Sequence, residues 1–357
     1  MFSLGDVMID ETAEAVANLL EGFRDSEIPD VTASRVLDWV EAIGGISPWL
    51  DDRSALVLVE ALHDALSVGY WSSQRTIDRI SQLDPTLLWP DAPVLLSANW
   101  RWLNLQGPES SQTALHGLFE ALVPSPMGDG QHFFYLDDGL FSGGTVSHEV
   151  ERWVETERPT GARLLIAHLV GHAGRYEGTR QELERVTRRH NVDVRMIAAT
   201  QIAEPDFHLG LESSRQAPTR YGLCLKPTRA LYESSDVCQR HWQRFEWHHR
   251  GYAFLEDDVA ITCERVFRSP EHRRTLTLAM LEVGCKIMLW TKDPNPWMRP
   301  LGYCNDNSFG VGAMMATFHN SPNTAPLALW WGDPSKGAPL ARWDPLLPRR
   351  PDPRNRW

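Results

Sequence analysis

The sequence predicts an α/β fold: an open parallel sheet at its centre, a helical layer before it and an irregular extension after it. Three observations predict this. Residues 1–92 carry apolar side chains at helical spacing, residues 93–205 alternate short apolar runs with helical stretches, and the end of residues 206–357 is rich in proline, tryptophan and arginine. Strand–helix alternation calls for right-handed crossovers, and crossovers place successive strands parallel. These segments are the expected domains: a helical N-terminal region, a sheet core and a C-terminal extension of that core.

In the first region, Ala15, Val16, Leu19, Leu20 and Phe23 share one helical face after Asp10 and Thr12. Thr32-Ala33-Ser34 opens a second helix through Val36, Leu37, Trp39, Val40 and Ile43, which Gly44-Gly45 stops. Asp51-Asp52 places negative charge at the start of a third, carrying Leu56, Val59, Leu62 and Leu66. A fourth runs from Ser73 to Leu83, and Pro85 and Pro90 close the region. Nothing catalytic shows here, so a docking layer without catalytic groups is expected.

The strands follow. Val94-Leu95-Leu96 is the expected first strand, and Gln106-Gly107-Pro108-Glu109-Ser110-Ser111 turns into a helix through Ala114, Leu118 and Leu122. His132 to Leu136 is the second strand, followed by a loop and a helix from Val146 to Val154. Leu164 to Val170 is the third, Thr179 to His190 a charged helix, and Val192 to Ala198 the fourth strand. Such apolar runs fit strands buried on both faces. Beyond residue 200, a helix over Glu271–Met288 is the one regular element expected before an irregular end.

Composition excludes several classes. With 357 residues, 42% hydrophobic and 23% charged, the chain has enough apolar content for a large core and is neither disordered nor fibrous. No apolar run is long enough for a membrane helix, and Met1-Phe2-Ser3-Leu4-Gly5-Asp6 lacks the basic and apolar parts of a secretory signal, so no membrane partner and a cytoplasmic location are expected. Cys224, Cys238, Cys263, Cys285 and Cys304 form no CxxC pair and read as reduced thiols. A net charge of −12 opposes wide non-specific contact with nucleic acid, while a local basic patch stays open.

The chemistry concentrates in Phe133-Phe134-Tyr135-Leu136-Asp137-Asp138-Gly139-Leu140-Phe141-Ser142-Gly143-Gly144-Thr145-Val146. An apolar strand ends at the carboxyl edge of the sheet, where open α/β folds bind ligands. Ser142, Gly143, Gly144 and Thr145 can turn backbone N–H groups toward one phosphate, and the following helix adds its positive end. Asp137 and Asp138 precede that cradle, and paired carboxylates suit two vicinal hydroxyls. A phosphate and a diol at this separation describe a ribose 5-phosphate. The bland alternative is an acidic helix cap beside a glycine turn, but a cap needs one acid, not two.

This segment resembles the phosphoribosyl-pyrophosphate loop of type I phosphoribosyltransferases, where a strand, an acidic pair and a Thr/Ser-Gly-Gly-Thr turn occur in this order and spacing. A wider likeness takes in the helical start, Pro300-Leu301-Gly302-Tyr303, Phe318 to Trp331 and Trp343 to Arg349. That likeness is to phosphoribosyltransferase-like proteins of bacterial anti-phage conflict systems, some retron-associated. The resemblance implies a type I phosphoribosyltransferase-like core with a C-terminal hood. It implies a defence effector held in check until infection, with phosphoribosyl pyrophosphate or a nucleotide as ligand and a reverse transcriptase with its nucleic acid as a partner. It implies bond change at the sugar C1 through an oxocarbenium-like state. In that mechanism Asp137 and Asp138 are the catalytic pair, Ser142 to Thr145 bind the substrate phosphate, and Mg²⁺ serves as cofactor. The sequence departs from the family at Gln106 to Gln112, the expected pyrophosphate loop, which holds no Lys or Arg, and at Gly139, which replaces a larger residue. A non-catalytic nucleotide sensor or structural partner therefore stands as the alternative.

Other groupings have bland readings. His168 and His172 straddle a strand end rather than sharing a helix face, although His172 could reach a phosphate. His241, Trp242, Trp247, His248, His249 and Arg250 suit either a packed helix or base stacking. Arg175 and Arg180 flank Tyr176 as solvated arginines, and Asp257-Asp258 is expected in a surface turn. Asn320 to Asn323, around Pro322, reads as a rigid turn in the hood, with either asparagine able to meet a base edge.

Overall fold

The computed structural model describes residues 4–25, 27–97, 99–108, 110–120, 122, 131–203, 219–221, 223–245, 254–255, 266–304, 308–332 and 339–349. The chain groups into two compact units, one of residues 1–72, 204–207 and 221–357, the other of 73–203 and 208–220.

The first unit begins with α1 (Leu4–Leu19), α2 (Ala33–Gly44) and α3 (Asp52–Gly69). Each start has a physical cause. Thr32 accepts the Arg35 N–H at 3.2 Å to cap α2, and Asp51 accepts the Ser54 N–H at 2.8 Å to cap α3. Their apolar faces are buried through Val16, Leu20, Val36, Trp39, Ile43, Leu58, Leu62 and Leu66. A two-residue strand, β1 (Tyr70–Trp71), ends this stretch.

The second unit opens with α4 (Ser73–Ser81) and carries the sheet. Its strands are β2 (Arg101–Leu103), β3 (His132–Leu140), β4 (Arg163–His172), β5 (Asp193–Ala203) and β6 (Thr219–Tyr221), lying in that order. β2 to β5 are parallel neighbours. The crossovers are α5 (Ser111–Phe119), α6 (Gly144–Glu157) and α7 (Ala173–Arg188). Register puts Phe133 beside Leu164 and Val194, and Tyr135 beside Ile166 and Met196. That face packs against Val146, Val150, Trp153, Leu183 and Val186 of α6 and α7. The opposite face carries Phe134, fully buried, with Trp102 and Phe119 against or near it. The expected parallel α/β core is present.

Four boundaries differ from expectation. The first strand is not Val94–Leu96: that segment turns, Val94 is 73% exposed, and β2 forms at Arg101–Leu103 instead. β2 is a three-residue edge strand with Arg101 exposed and only Leu103 buried, so it lacks the continuous apolar run that marks an inner parallel strand. β3 continues four residues past Leu136, because Asp137, Gly139 and Leu140 keep their ladder with His168, Val170 and Gly171. α7 starts at Ala173 rather than Thr179, directly on β4. β5 runs to Ala203 rather than ending at Ala198.

The chain then returns to the first unit with α8 (Arg229–Glu233), α9 (Asp236–Arg244), α10 (Pro270–Trp290), β7 (Ala316–Thr317) and α11 (Leu327–Trp330). α10 is buried on most of its surface: Leu276, Met280, Leu281, Val283 and Ile287 are all fully buried, and His272, Arg273, Thr277 and Glu282 are buried with them. Side chains tie the N-terminal helices to this half. Trp39 donates to the Ala328 carbonyl at 3.2 Å, Trp49 to Glu282 at 2.7 Å, and Arg268 meets both Asp64 and Glu60 at 2.9 Å. β7 pairs in parallel with β1, Tyr70 opposite Ala316. No helix among the described residues is long and apolar enough to cross a membrane. Cys224, Cys238, Cys285 and Cys304 are buried and not in disulfides.

Candidate functional site

The β3–α6 junction is three residues long, Phe141-Ser142-Gly143, and lies at the carboxyl edge of the sheet. Gly143 is the N-cap of α6 with φ 76° and ψ −11°, the left-handed region that glycine enters without steric cost. Space demands glycine there too, since a Cβ on Gly143 would overlap the Thr179 side chain of α7. Gly144 is different. Its φ is not positive, and a Cβ would meet nothing nearer than Ser142 Oγ at 3.8 Å. Of the two glycines in the turn, the constrained one is therefore Gly143.

No side chain caps α6. Ser147 N–H donates to the Gly143 carbonyl at 3.0 Å and Gly144 N–H reaches Ser142 Oγ at 3.4 Å, while Ser142, Gly144 and Thr145 are exposed. The first-turn N–H groups and the helix dipole therefore face solvent at this edge, a surface suited to an anion. Phe141 folds back so that its ring covers Gly139, which explains why a larger residue is absent at 139.

The acids lie inside β3 rather than after it, so strand alternation directs their side chains to opposite faces. Asp137 is 6% exposed. Its Oδ1 accepts Ser111 Oγ at 2.6 Å and the Asp138 N–H at 2.9 Å. Its Oδ2 accepts Gln106 Nε2 at 2.6 Å and the Tyr135 hydroxyl at 3.4 Å. Asp138 is half-buried. Across the ladder, Asp137 is paired in register with His168, which is 1% exposed with no hydrogen-bond partner at Nδ1. Burial pushes the His168 imidazole down to about 4, against the opposing pull of the Asp137 carboxylate. Burial likewise raises the Tyr135 hydroxyl well above its ordinary range, with the Asp137 charge adding to it.

The segment between β2 and α5 is held from within. Gln112, fully buried, accepts the Leu105 N–H at 2.5 Å and the Gln106 N–H at 3.2 Å through its Oε1. Ser110 Oγ and Thr113 Oγ1 donate to the Gly107 carbonyl at 2.7 and 2.6 Å. The cation that reaches this segment, Arg152 of α6, is spent on the Leu105 carbonyl at 2.7 Å and on Glu149. Glu109 lies outside the described residues.

The structure thus brings Asp137, Asp138 and Ser142 to Thr145 to one sheet edge. Sequence reasoning missed Gln106 and Ser111 as partners of Asp137, Gln112 as the loop's internal acceptor and Thr179 as the contact of Gly143. The signal was faint: glutamines on both sides of a Gly-Pro turn. The remaining groupings take structural roles. His241 is buried between Tyr232 and Met288, and Trp242 packs on Tyr232. Residues 247–250 and Asp257-Asp258 lie outside the described residues. Arg180 pairs with Glu177 and Glu184, and Tyr176 packs against the sheet core. Asn320 to Asn323 belong to the first unit as a tight turn, Thr317 N–H to Asn320 O at 2.9 Å and Tyr303 N–H to Asn323 O at 2.7 Å. No group of three metal-ligating side chains gathers among the described residues.

A parallel sheet with this strand–turn–helix junction places the chain in the phosphoribosyltransferase-like class. More specifically, the PRTase-CE family model matches residues 58–349, most of the chain, and the chain belongs to that family. No match was found among curated proteins or among solved structures. Membership suggests a phosphoribosyltransferase-like activity.

Proposed function

We propose that the carboxyl edge of the sheet binds the ribose 5-phosphate moiety of phosphoribosyl pyrophosphate or of a nucleotide, and that bonds to the sugar C1 are made or broken there. The observation that carries this is the uncapped start of α6, delivered by the left-handed Gly143 beside the acid-bearing end of β3. The phosphate belongs on the N–H groups after Gly143 and on the Ser142 and Thr145 hydroxyls, and the ring hydroxyls on the acidic end of β3. A carboxylate there also favours the positive charge that develops on the sugar. Mg²⁺ would neutralise ligand phosphates when bound. The fit is to few protein groups: Asp137 already accepts four internal donors, so the ion would be held chiefly by ligand oxygens.

A second reading, a nucleotide sensor without turnover, is favoured by the cation-free segment after β2. The resemblance of the terminal segments supports placing either activity in anti-phage defence, beside a retron reverse transcriptase and its nucleic acid. The test is calorimetric titration with phosphoribosyl pyrophosphate plus Mg²⁺ and with AMP, followed by chromatography for a released base. Saturable binding of either ligand upholds the site, and release of base separates enzyme from sensor. Binding of neither overturns the reading.

A further inference from the structure

We propose a second reactive site, on the first unit: Ser269, His272 and Glu60 form a hydroxyl–imidazole–carboxylate relay that makes Ser269 a nucleophile toward activated carboxylic esters. It uses no residue of the sheet edge and stands apart from the ribose 5-phosphate reading.

The geometry comes from two helices packed on each other, α3 and α10. Ser269 is the N-cap of α10 and His272 lies three residues on, so Ser269 Oγ and His272 Nδ1 meet at 2.6 Å. On its other side the ring reaches α3, with Nε2 at 3.1 Å from Glu60 Oε2. Glu60 is itself held, its Oε1 accepting from Arg268 at 2.9 Å, and Arg268 is fixed in turn by Asp64. His272 is 9% exposed while Ser269 is half-buried, so the base is shielded and the hydroxyl can be reached from solvent.

Proton placement follows from these partners. An ionised carboxylate only accepts, so Glu60 holds the ring proton on Nε2 and leaves a lone pair on Nδ1, facing the serine. The hydroxyl has one proton and two lone pairs. The proton goes to Nδ1, one lone pair takes the His272 N–H at 3.3 Å, and the other is left for attack. Helix capping alone does not call for this arrangement. A cap is complete with the backbone bond, and in a capping box the side chain three residues on turns back to the cap's own N–H. Here the imidazole turns to the hydroxyl instead and a third group orients it, the combination that activates a serine.

In the reaction, Oγ bonds to the acyl carbon as its proton passes to Nδ1. The bond from that carbon to the leaving oxygen breaks as Nδ1 hands the proton on to that oxygen. Water then repeats the sequence and frees the serine, so ester and water are the only reactants. Pro270 has no N–H and the His272 N–H is on Oγ, which leaves the Glu271 N–H as the first-turn donor beside the developing oxyanion.

The test exposes the folded full chain to an alkyl fluorophosphonate, maps the adduct by mass spectrometry and follows hydrolysis of p-nitrophenyl acetate. An adduct at Ser269 and turnover of the ester are expected. Ser269→Asp keeps a capping oxygen, so it should melt like the parent yet take no adduct there and lose ester turnover. His272→Asn should slow adduct formation about a hundredfold or more. Glu60→Gln tests the positioning residue: the maximal rate of adduct formation should fall about tenfold or more while the probe concentration giving half that rate holds, and Glu60→Asp should restore part of the rate. No adduct at Ser269 overturns the proposal, as does ester turnover equal in the parent and in Ser269→Asp. Labelling of His272→Asn at the parent's rate also overturns it and leaves the cluster a helix cap alone. Should Ser269→Asp unfold, the rates of the His272 and Glu60 variants decide.

Discussion

The β3–α6 and β4–α7 junctions lie on neighbouring strands at the same sheet edge, and they are built differently. β3 reaches α6 through three residues ending in a left-handed glycine, whereas β4 passes from His172 directly into Ala173 with no loop. Neither helix is capped by a side chain. The third crossover, from β2 to α5, is the opposite case: Ser110 caps the helix at 3.2 Å and Gln112 absorbs the loop's N–H groups. The difference teaches that the left-handed Gly143 steps the chain back before α6, a step that the direct β4–α7 connection lacks.

The largest effect should come from closing that step. Gly143→Ala combines a left-handed alanine, about 1–2 kcal/mol, with overpacking against Thr179, about 1–3 kcal/mol. Urea melts should show a loss of about 2–5 kcal/mol, partly recovered by adding Thr179→Ala. A full recovery would mean that space and not φ fixes the glycine.

Next comes the link between the two strands behind these junctions. His168 is held at about 4 against an ordinary 6.5, so the folded protein binds fewer protons than the unfolded chain between those values. Stability should be full above pH 6.5 and fall by up to about 1.4 kcal/mol per unit as pH drops toward 4. Denaturation midpoints from pH 7.5 to 4.5 check this, and His168→Gln should flatten the slope.

At the capped junction, Gln112→Ala removes the acceptor of two N–H groups and should cost about 1–3 kcal/mol in a urea melt. The smallest effect is Gly144→Ala. With helical dihedrals and open space, it should leave stability within about 1 kcal/mol of the parent, on the stabilising side. A loss as large as that of Gly143→Ala would put the strained residue at the wrong glycine.

The alternation of strands and helices was legible because buried parallel strands are apolar runs, as Leu164 to Val170 shows. β2 was not, because it is a three-residue edge strand in which Arg101 is exposed and only Leu103 is buried. The turn before α6 was legible to within one residue. Two adjacent glycines look alike in sequence, and only the approach of Thr179, from the next helix, distinguishes them. The surroundings of Asp137 were illegible for a related reason. Its donors Gln106 and Ser111 lie 31 and 26 residues away, and neither residue type announces a partner. β3 was cut short at Leu136 because aspartate and glycine disfavour strands, while the ladder with β4 outweighs that preference.

The smallest sheet in the molecule has a bearing on how the chain is made. β1 and β7 join Tyr70 to Ala316, and α3 packs on α10, so the first unit draws on both ends of the sequence with the α/β unit inserted between. At about 5–20 residues per second, a ribosome needs roughly 12–50 s to travel from the first of these strands to the second. During that interval α3 lacks the helix it packs on, while the inserted unit already has all the strands of its own parallel core. The inserted sheet is thus placed to fold first, and the contact of α3 with α10 waits until the last third of the chain has been synthesised.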